Sequence, residues 1–353
     1  MQHGGDLTDA RARYGGGLDE WLDLSTGINP HAWPLPAIPD AAWRRLPGRA
    51  ELDGLLDAAR RAYGVPGGAG IVAAPGTQAL IQWLPRLAGP GGVAVLGPTY
   101  AEHAESWRLA GREVHDLLLL PPGEGRDEGV TRLPSSGLCC DALTPTLSRR
   151  EREKQACHAV VVNPNNPDGR VLTHRVLAQL ADALGQGGRL IVDESFADTD
   201  PSVSAANLVQ DHPIIVLRSF GKFYGLAGVR LGFAIAAAPV VQRIAEALGP
   251  WAVPGPAIAI GTQALHDAGW AAAMRARLVR DAQALDTVLA RTFEPAGGTT
   301  LYRLVRHRRA RLIHERLAQQ RIWVRRFDWA DDLLRFGLPG NGLDRLEAAL
   351  ASC

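Results

Sequence analysis

Short apolar runs rich in β-branched residues recur along the first two thirds of the chain. They are Ile71-Val72-Ala73-Ala74, Val93-Ala94-Val95-Leu96, a stretch from Glu113 to Leu119, Ala159-Val160-Val161-Val162, Leu190-Ile191-Val192, Ile214 to Leu217, and Leu231 to Ile235. Between several of them the polar and apolar positions follow helical spacing, over about 51–63, 77–87, 101–110 and 174–184. Fully apolar strands alternating with helices predict an α/β fold: a mainly parallel seven-stranded sheet sandwiched by helices. Ligands of such sheets bind beyond the carboxyl ends of the strands.

From about Pro239 the pattern changes. A long helical region continues to about Leu289, interrupted at Pro254 and Pro256. Strands are predicted near 300–305, 322–325 and 333–336, with helices between and after them, so the second lobe reads as a smaller α+β domain. The first thirty-odd residues carry Gly, Asn and Pro clusters and read as loop. The expected organisation is therefore a large domain over 31–238 and a small domain built from 1–30 and 239–353. Residues 121–156 show no periodicity and read as a mobile surface insertion without a role in the chemistry.

Composition narrows the picture. The chain has 353 residues, 46% of them hydrophobic and 21% charged, ordinary for a soluble globular protein with a large core. A formal net charge of +1 offers no field for nucleic acid or an anionic membrane. No apolar run is long enough to span a bilayer, and the first residues lack the apolar core of a signal peptide, so a cytoplasmic protein is expected. Cys139, Cys140, Cys157 and Cys353 have neither zinc-knuckle spacing nor a disulfide framework, and no metal site is expected.

The charge inventory holds one anomaly. Of 38 basic residues only two are lysines, Lys154 and Lys222, and the rest are arginine. Lys154 sits in a charge run of the insertion. Lys222 lies in Ser219-Phe220-Gly221-Lys222-Phe223-Tyr224-Gly225, just after an apolar strand, and only a lysine amine condenses with an aldehyde. Arg230 follows on the same segment, and a hydroxyl with a guanidinium suits a phosphate. Gly76-Thr77, opening a helix, offers free amides and a second hydroxyl for one; helix N-cap and ion-pair roles are the structural alternatives for Thr77 and Arg230. Asp193 ends a buried strand, either capping the next turn or meeting a protonated ring nitrogen. Asn163-Pro164-Asn165-Asn166-Pro167-Asp168-Gly169 also follows a strand, as a rigid turn or as a source of directed amides. A phosphate, an aldehyde and a ring nitrogen together describe pyridoxal 5'-phosphate.

Ser219 to Arg230, Asn163 to Gly169 and Asp193-Glu194 resemble the fold type I aminotransferase superfamily, in the branch that includes histidinol-phosphate aminotransferase. His3-Gly4-Gly5-Asp6, Asp23 to Pro30, Ala74 to Leu80, Pro98 to His103 and Leu334 to Pro339 are more closely similar to the threonine-phosphate decarboxylases of cobalamin biosynthesis. The resemblance implies that Lys222 attaches the cofactor covalently, Asp193 pairs with its ring nitrogen, Asn166 reaches its phenolic oxygen and Tyr100 stacks on its ring. Gly76, Thr77, Ser219 and Arg230 would hold its phosphate. His3, Gly4, Asn29, Asn166, Arg325 and Arg335 would bind the substrate's carboxylate and phosphate, with Arg326 the alternative to Arg325 because strand alternation turns only one of them to the site. Residues 1–30 are thus expected to contribute a substrate-binding segment.

Two departures from the superfamily pattern stand out. Phe196 occupies a position where many relatives have Tyr, which leaves Asn166 alone on the phenolic oxygen. Leu46-Pro47 replaces a Tyr-Pro pair whose tyrosine reaches the neighbouring subunit's cofactor in histidinol-phosphate aminotransferases. The implied reaction is decarboxylation of L-threonine O-3-phosphate to (R)-1-aminopropan-2-yl phosphate, by a homodimer acting on a small phosphorylated amino acid. An aminotransferase of the histidinol-phosphate type is the alternative, and a non-catalytic ligand sensor on the same fold is a third.

Overall fold

The structure is a computed structural model that describes residues 4–118 and 158–352. His3 and the proposed insertion at 121–156 lie outside the described residues.

Seven strands form the large sheet: β2 (Ala69–Ala74), β3 (Val93–Gly97), β4 (Val114–Leu118), β5 (His158–Val162), β6 (Arg189–Asp193), β7 (Ile214–Ser219) and β8 (Gly232–Ala237). Their order is β2-β8-β7-β6-β5-β3-β4, and only β8 runs against the others. The period of two in a strand explains why these runs are apolar throughout. Ala159 and Val161 of β5 pack into one core, with Leu190, Val192 and Val216, while Val160 packs into a second core with Ile191, Ile215 and Leu217. Helices cover both faces, so neither set of side chains meets water.

The smaller sheet is five-stranded, in the order β1-β11-β12-β10-β9. It comprises β1 (Leu22–Leu24), β9 (Glu294–Thr299), β10 (Tyr302–Arg306), β11 (Ile322–Phe327) and β12 (Ala330–Gly337). Two of these strands depart from the sequence expectation. β1 falls in the segment read as loop; at three residues it is too short to show a period, and it forms only by pairing parallel to β11, Leu22 opposite Ile322 and Leu24 opposite Val324. β9 has the sequence Glu-Pro-Ala-Gly-Gly-Thr, which no propensity favours, and it survives as an edge strand where a proline breaks no ladder. The long helical region resolves into Ala238–Leu248, Gly255–His266 and Ala268–Leu289. Pro256 sits in the first turn of its helix, where a missing N–H costs nothing.

The two sheets meet through backbone. Gly298 N–H donates to the carbonyl of Asp168 at 2.8 Å. A β-carbon on Gly169 would overlap the Gly298 carbonyl, and one on Gly297 would overlap that of Asp168. Gly169 also has φ of 74°, which side chains rarely adopt. This contact seats the 163–169 turn of the large sheet directly against β9.

A buried ion cluster fixes the turn that follows β6. Arg218 of β7 donates to Glu194 at 2.8 Å and also to Asp198, and its guanidinium lies 4.4 Å from the Tyr63 ring centroid. Glu194 accepts further bonds from Ser204 Oγ at 2.7 Å and the Ala205 amide at 2.6 Å.

Gly169→Ala combines a strained φ with overlap on the opposing backbone and is expected to lower stability by about 2–4 kcal/mol. Thermal unfolding measures it, and a melting temperature within about 1 °C of the parent contradicts the tight backbone contact.

Candidate active site

A cavity of about 490 Å³ opens where the carboxyl ends of β5, β6 and β7 face the small sheet. Its floor comes from the large sheet. β7 ends at Ser219, which pairs with Gly232 at the start of β8, and the connection between them carries Lys222 on a single helical turn, Phe220–Phe223. Lys222 is half-buried on that floor, and its side-chain amine makes no hydrogen bond among the described residues. Desolvation, with Arg335 and Arg230 nearby, brings its ammonium down to about 8, against a smaller opposing pull from Asp193.

Asn29 does not line this cavity. It is buried, its side-chain amide donates to the Phe223 carbonyl at 2.8 Å, and its Oδ1 accepts the His31 amide at 2.9 Å. Its own N–H donates to the Lys222 carbonyl at 2.9 Å. These bonds bracket the backbone of the lysine turn and use one of the amide's two N–H donors.

Asp193 stands at the end of β6, buried, beside the lysine. Its Oδ2 lies 2.9 Å from His103 Nε2, and its Oδ1 accepts the Ser195 amide at 3.0 Å and the Ser195 hydroxyl at 2.6 Å. Burial acts to raise its carboxyl, but the bonds from His103 and Ser195 outweigh it and hold the group below the usual carboxylate range. An ionised carboxylate is thus maintained at the cavity floor.

The cradle expected for a phosphate assembles from three segments. Gly76, with φ of 82°, is the N-cap of the helix Thr77–Leu87, whose first amides have no helical acceptor. A β-carbon there would lie 2.7 Å from the Arg230 guanidinium, so only glycine lets the arginine approach. Thr77, Ser219 and Arg230 line the cavity together. Tyr100 forms a side wall; its hydroxyl donates to Gln78 Oε1 at 3.3 Å, and Gln78 in turn donates to Glu102 at 2.9 Å. Burial, then the Glu102 charge, pushes the Tyr100 phenol up to about 12, so it stays protonated.

The facing wall belongs to the small sheet and the N-terminal segment. Arg325 of β11 and Arg335 of β12 sit opposite each other in register, and both line the cavity. Arg326 is exposed and points elsewhere, which separates the two alternatives left by strand alternation. Arg335 is 6% exposed; it donates to the Ser25 carbonyl at 2.6 Å and to Asn166 Oδ1, and it lies 5.0 Å from the Tyr302 ring centroid. It pairs with no carboxylate among the described residues, and its Nε–H is buried without a partner. Burial and the adjacent Arg325 lower it to about 10. Gly4 reaches the same wall, tight against the Ser25 carbonyl.

Several contributors carry no assigned role in the sequence reading. His103 and Ser195 act on Asp193, and Gln78 acts on Tyr100. Tyr302 donates its hydroxyl to the Asn165 carbonyl at 2.5 Å and meets the Phe196 ring edge-on at 5.0 Å. His103 lies within a motif already singled out, Pro98 to His103, but its partner is ninety residues away. Tyr302 is one aromatic in an apolar strand and gives no chemical signal.

Residues 58–351 match the family described as aminotransferase class I and II. A threonine-phosphate decarboxylase from a Sinorhizobium species is 43% identical over 355 residues, covering 99% of this chain and 97% of that protein. One from Pseudomonas aeruginosa is 42% identical over 354 residues, with the same coverage of 99% and 97%. Among solved structures, a histidinol-phosphate aminotransferase from Sinorhizobium meliloti in complex with pyridoxal-5'-phosphate superposes with a TM-score of 0.74 at 20% identity, covering 98% of this chain and 94% of that one. With the carboxyl-end cavity, the lysine turn and full-length identity of this size, the chain belongs to the aminotransferase class I and II family, and within it to the threonine-phosphate decarboxylases.

Proposed function

We propose that this protein decarboxylates L-threonine O-3-phosphate to (R)-1-aminopropan-2-yl phosphate with pyridoxal 5'-phosphate as cofactor, supplying a linker precursor in cobalamin assembly. The carrying observation is the pair of guanidinia, Arg325 and Arg335, on one wall of the cavity opposite a lysine amine. A substrate with two anionic groups answers two cations, and the two full-length relatives bear the name of that activity.

The chemistry of the donors fits the cofactor. Gly76, Thr77, Ser219 and Arg230 would hold its phosphate, Asp193 would face its ring nitrogen as an anion, and Tyr100 would cover one ring face. Asn166 gives its Oδ1 to Arg335, and its Nδ2, unpartnered among the described residues, would donate to the phenolic oxygen. Phe196 adds no hydroxyl there. When bound, pyridoxal phosphate supplies an aldehyde for the substrate amine and a ring that accepts the electron pair left by CO2.

The protein supplies positioning. Decarboxylation would need the substrate held in one orientation, with its carboxylate as the group presented for cleavage. Arg335, planar and fixed by Ser25 and Asn166, suits the carboxylate, and Arg325, with Gly4, suits the phosphate. Asp193 keeps its negative charge where a ring proton needs it. Lys222, with its amine lowered to about 8, exchanges a proton readily near neutral pH and can return one to the α-carbon after CO2 departs. We further infer a cytoplasmic homodimer: Trp43, Leu46 and Trp251 leave large apolar side chains on the surface of the single chain.

O-Phosphothreonine supplied without a keto acid is expected to release CO2, and Lys222→Ala to lower that rate by about three orders of magnitude or more. Amino transfer on addition of a keto acid, with no CO2, would instead support the aminotransferase. Arg325→Gln should raise KM about tenfold or more, as for loss of a charge-assisted hydrogen bond, whereas exposed Arg326→Gln should leave it unchanged; the reverse ranking contradicts the arrangement. In cofactor-free protein, the pH profile of Lys222 reductive methylation should have its midpoint near 8. Arg335→Gln removes a cation that favours the neutral amine, so the midpoint should move upward; a downward shift refutes that electrostatic account.

A further inference from the structure

A second cavity, of about 220 Å³, opens at the opposite end of the same strands and shares no lining residue with the first. It begins at His158 and Arg189, the first residues of β5 and β6, about 13 Å along β6 from Asp193. Leu84, Trp107, Ile191 and Ile244 give it an apolar interior. For scale, an apolar cavity of about 150 Å³ admits benzene.

Its rim is cationic. Arg189 and Arg243 line the opening, each held by a single backbone carbonyl, of Gly188 at 2.8 Å and of Leu87 at 2.9 Å. Neither pairs with a carboxylate among the described residues, so most of their N–H donors remain available. Arg112, bonded to the Ala88 carbonyl at 3.1 Å, adds a third unpaired guanidinium close by. Inside, His158 is 0% exposed and its ring lies 5.2 Å from that of Trp107. Its Nε2 faces the Gly89 carbonyl at 3.3 Å and must carry the proton, while Nδ1 is buried with no partner among the described residues. Burial lowers this imidazole to about 4, so it is neutral and Nδ1 is an unfilled acceptor.

We propose that this cavity is a second ligand site, taking a small organic anion: a carboxylate held by Arg189 and Arg243, and a compact apolar body against Trp107 and Ile244. The site stands apart from the decarboxylation chemistry and does not depend on that reading.

Titration calorimetry of the cofactor-loaded protein with 4-hydroxyphenylacetate tests it. One-to-one binding is expected, about tenfold or more weaker in Arg189→Gln/Arg243→Gln, while kcat/KM for the reaction at the other cavity is unchanged. Arg243→Gln alone, at an exposed position, serves if the double variant does not fold, and should weaken binding in the same direction. Uncharged 4-hydroxybenzyl alcohol and inorganic phosphate should each bind more weakly. Four results overturn the proposal: no binding at millimolar ligand, binding indifferent to the rim arginines, binding lost in Arg335→Gln, which would place the ligand in the first cavity, or equal binding of the uncharged analogue or of phosphate.

Discussion

Arg335 is the point on which the candidate site depends. A guanidinium buried to this extent is costly unless its donors are used and its charge is answered. The protein uses two donors on the Ser25 carbonyl and Asn166, and sets the cation over the face of Tyr302. These partners come from the N-terminal segment, the large sheet's 163–169 turn and β10. One side chain therefore ties three separate stretches together while its charge meets no carboxylate among the described residues. A cation held in that way is suited to an anionic ligand.

The same economy governs the large-sheet side. Asp193 and Lys222 would neutralise each other in a simple ion pair. Instead Asp193 spends its oxygens on His103 and Ser195, and Lys222 is destabilised as a cation by burial and by two arginines. Each group is kept in a protonation state its neighbour does not impose. That separation of roles is the usual signature of a catalytic site rather than of a structural salt bridge. The buried cluster of Arg218, Glu194 and Asp198 behaves in the opposite way, with opposite charges satisfied within bonding distance, and it serves to hold the turn after β6.

Much of this was legible in the chain. The seven strands of the large sheet are continuous apolar runs because both faces are buried, and such runs are hard to mistake. Lys222 stood out because arginine replaces lysine almost everywhere else, and its chemistry is specific. What escaped was whatever exists only through pairing. β1 has three residues and half of β9 is Gly and Pro, so neither carries a pattern of its own. The bonds of Asn29 to the lysine turn escaped because an asparagine reads the same whether its amide faces a ligand or the backbone. His103 and Tyr302 act through partners distant in sequence, Asp193 and the Asn165 carbonyl, and no local spacing records such contacts.

The single reversed strand, β8, has a mechanical consequence. Because it returns directly beside β7, the segment bearing Lys222 and Arg230 is clamped at its root by the Ser219–Gly232 pair and belongs wholly to one sheet. Arg325 and Arg335 belong to the other. A hinge between the lobes would leave the spacing of Lys222, Ser219 and Arg230 intact while changing their distance to the two arginines. Chain topology thus assigns the residues that would grip the cofactor to one sheet and the two arginines that would orient what reacts with it to the other.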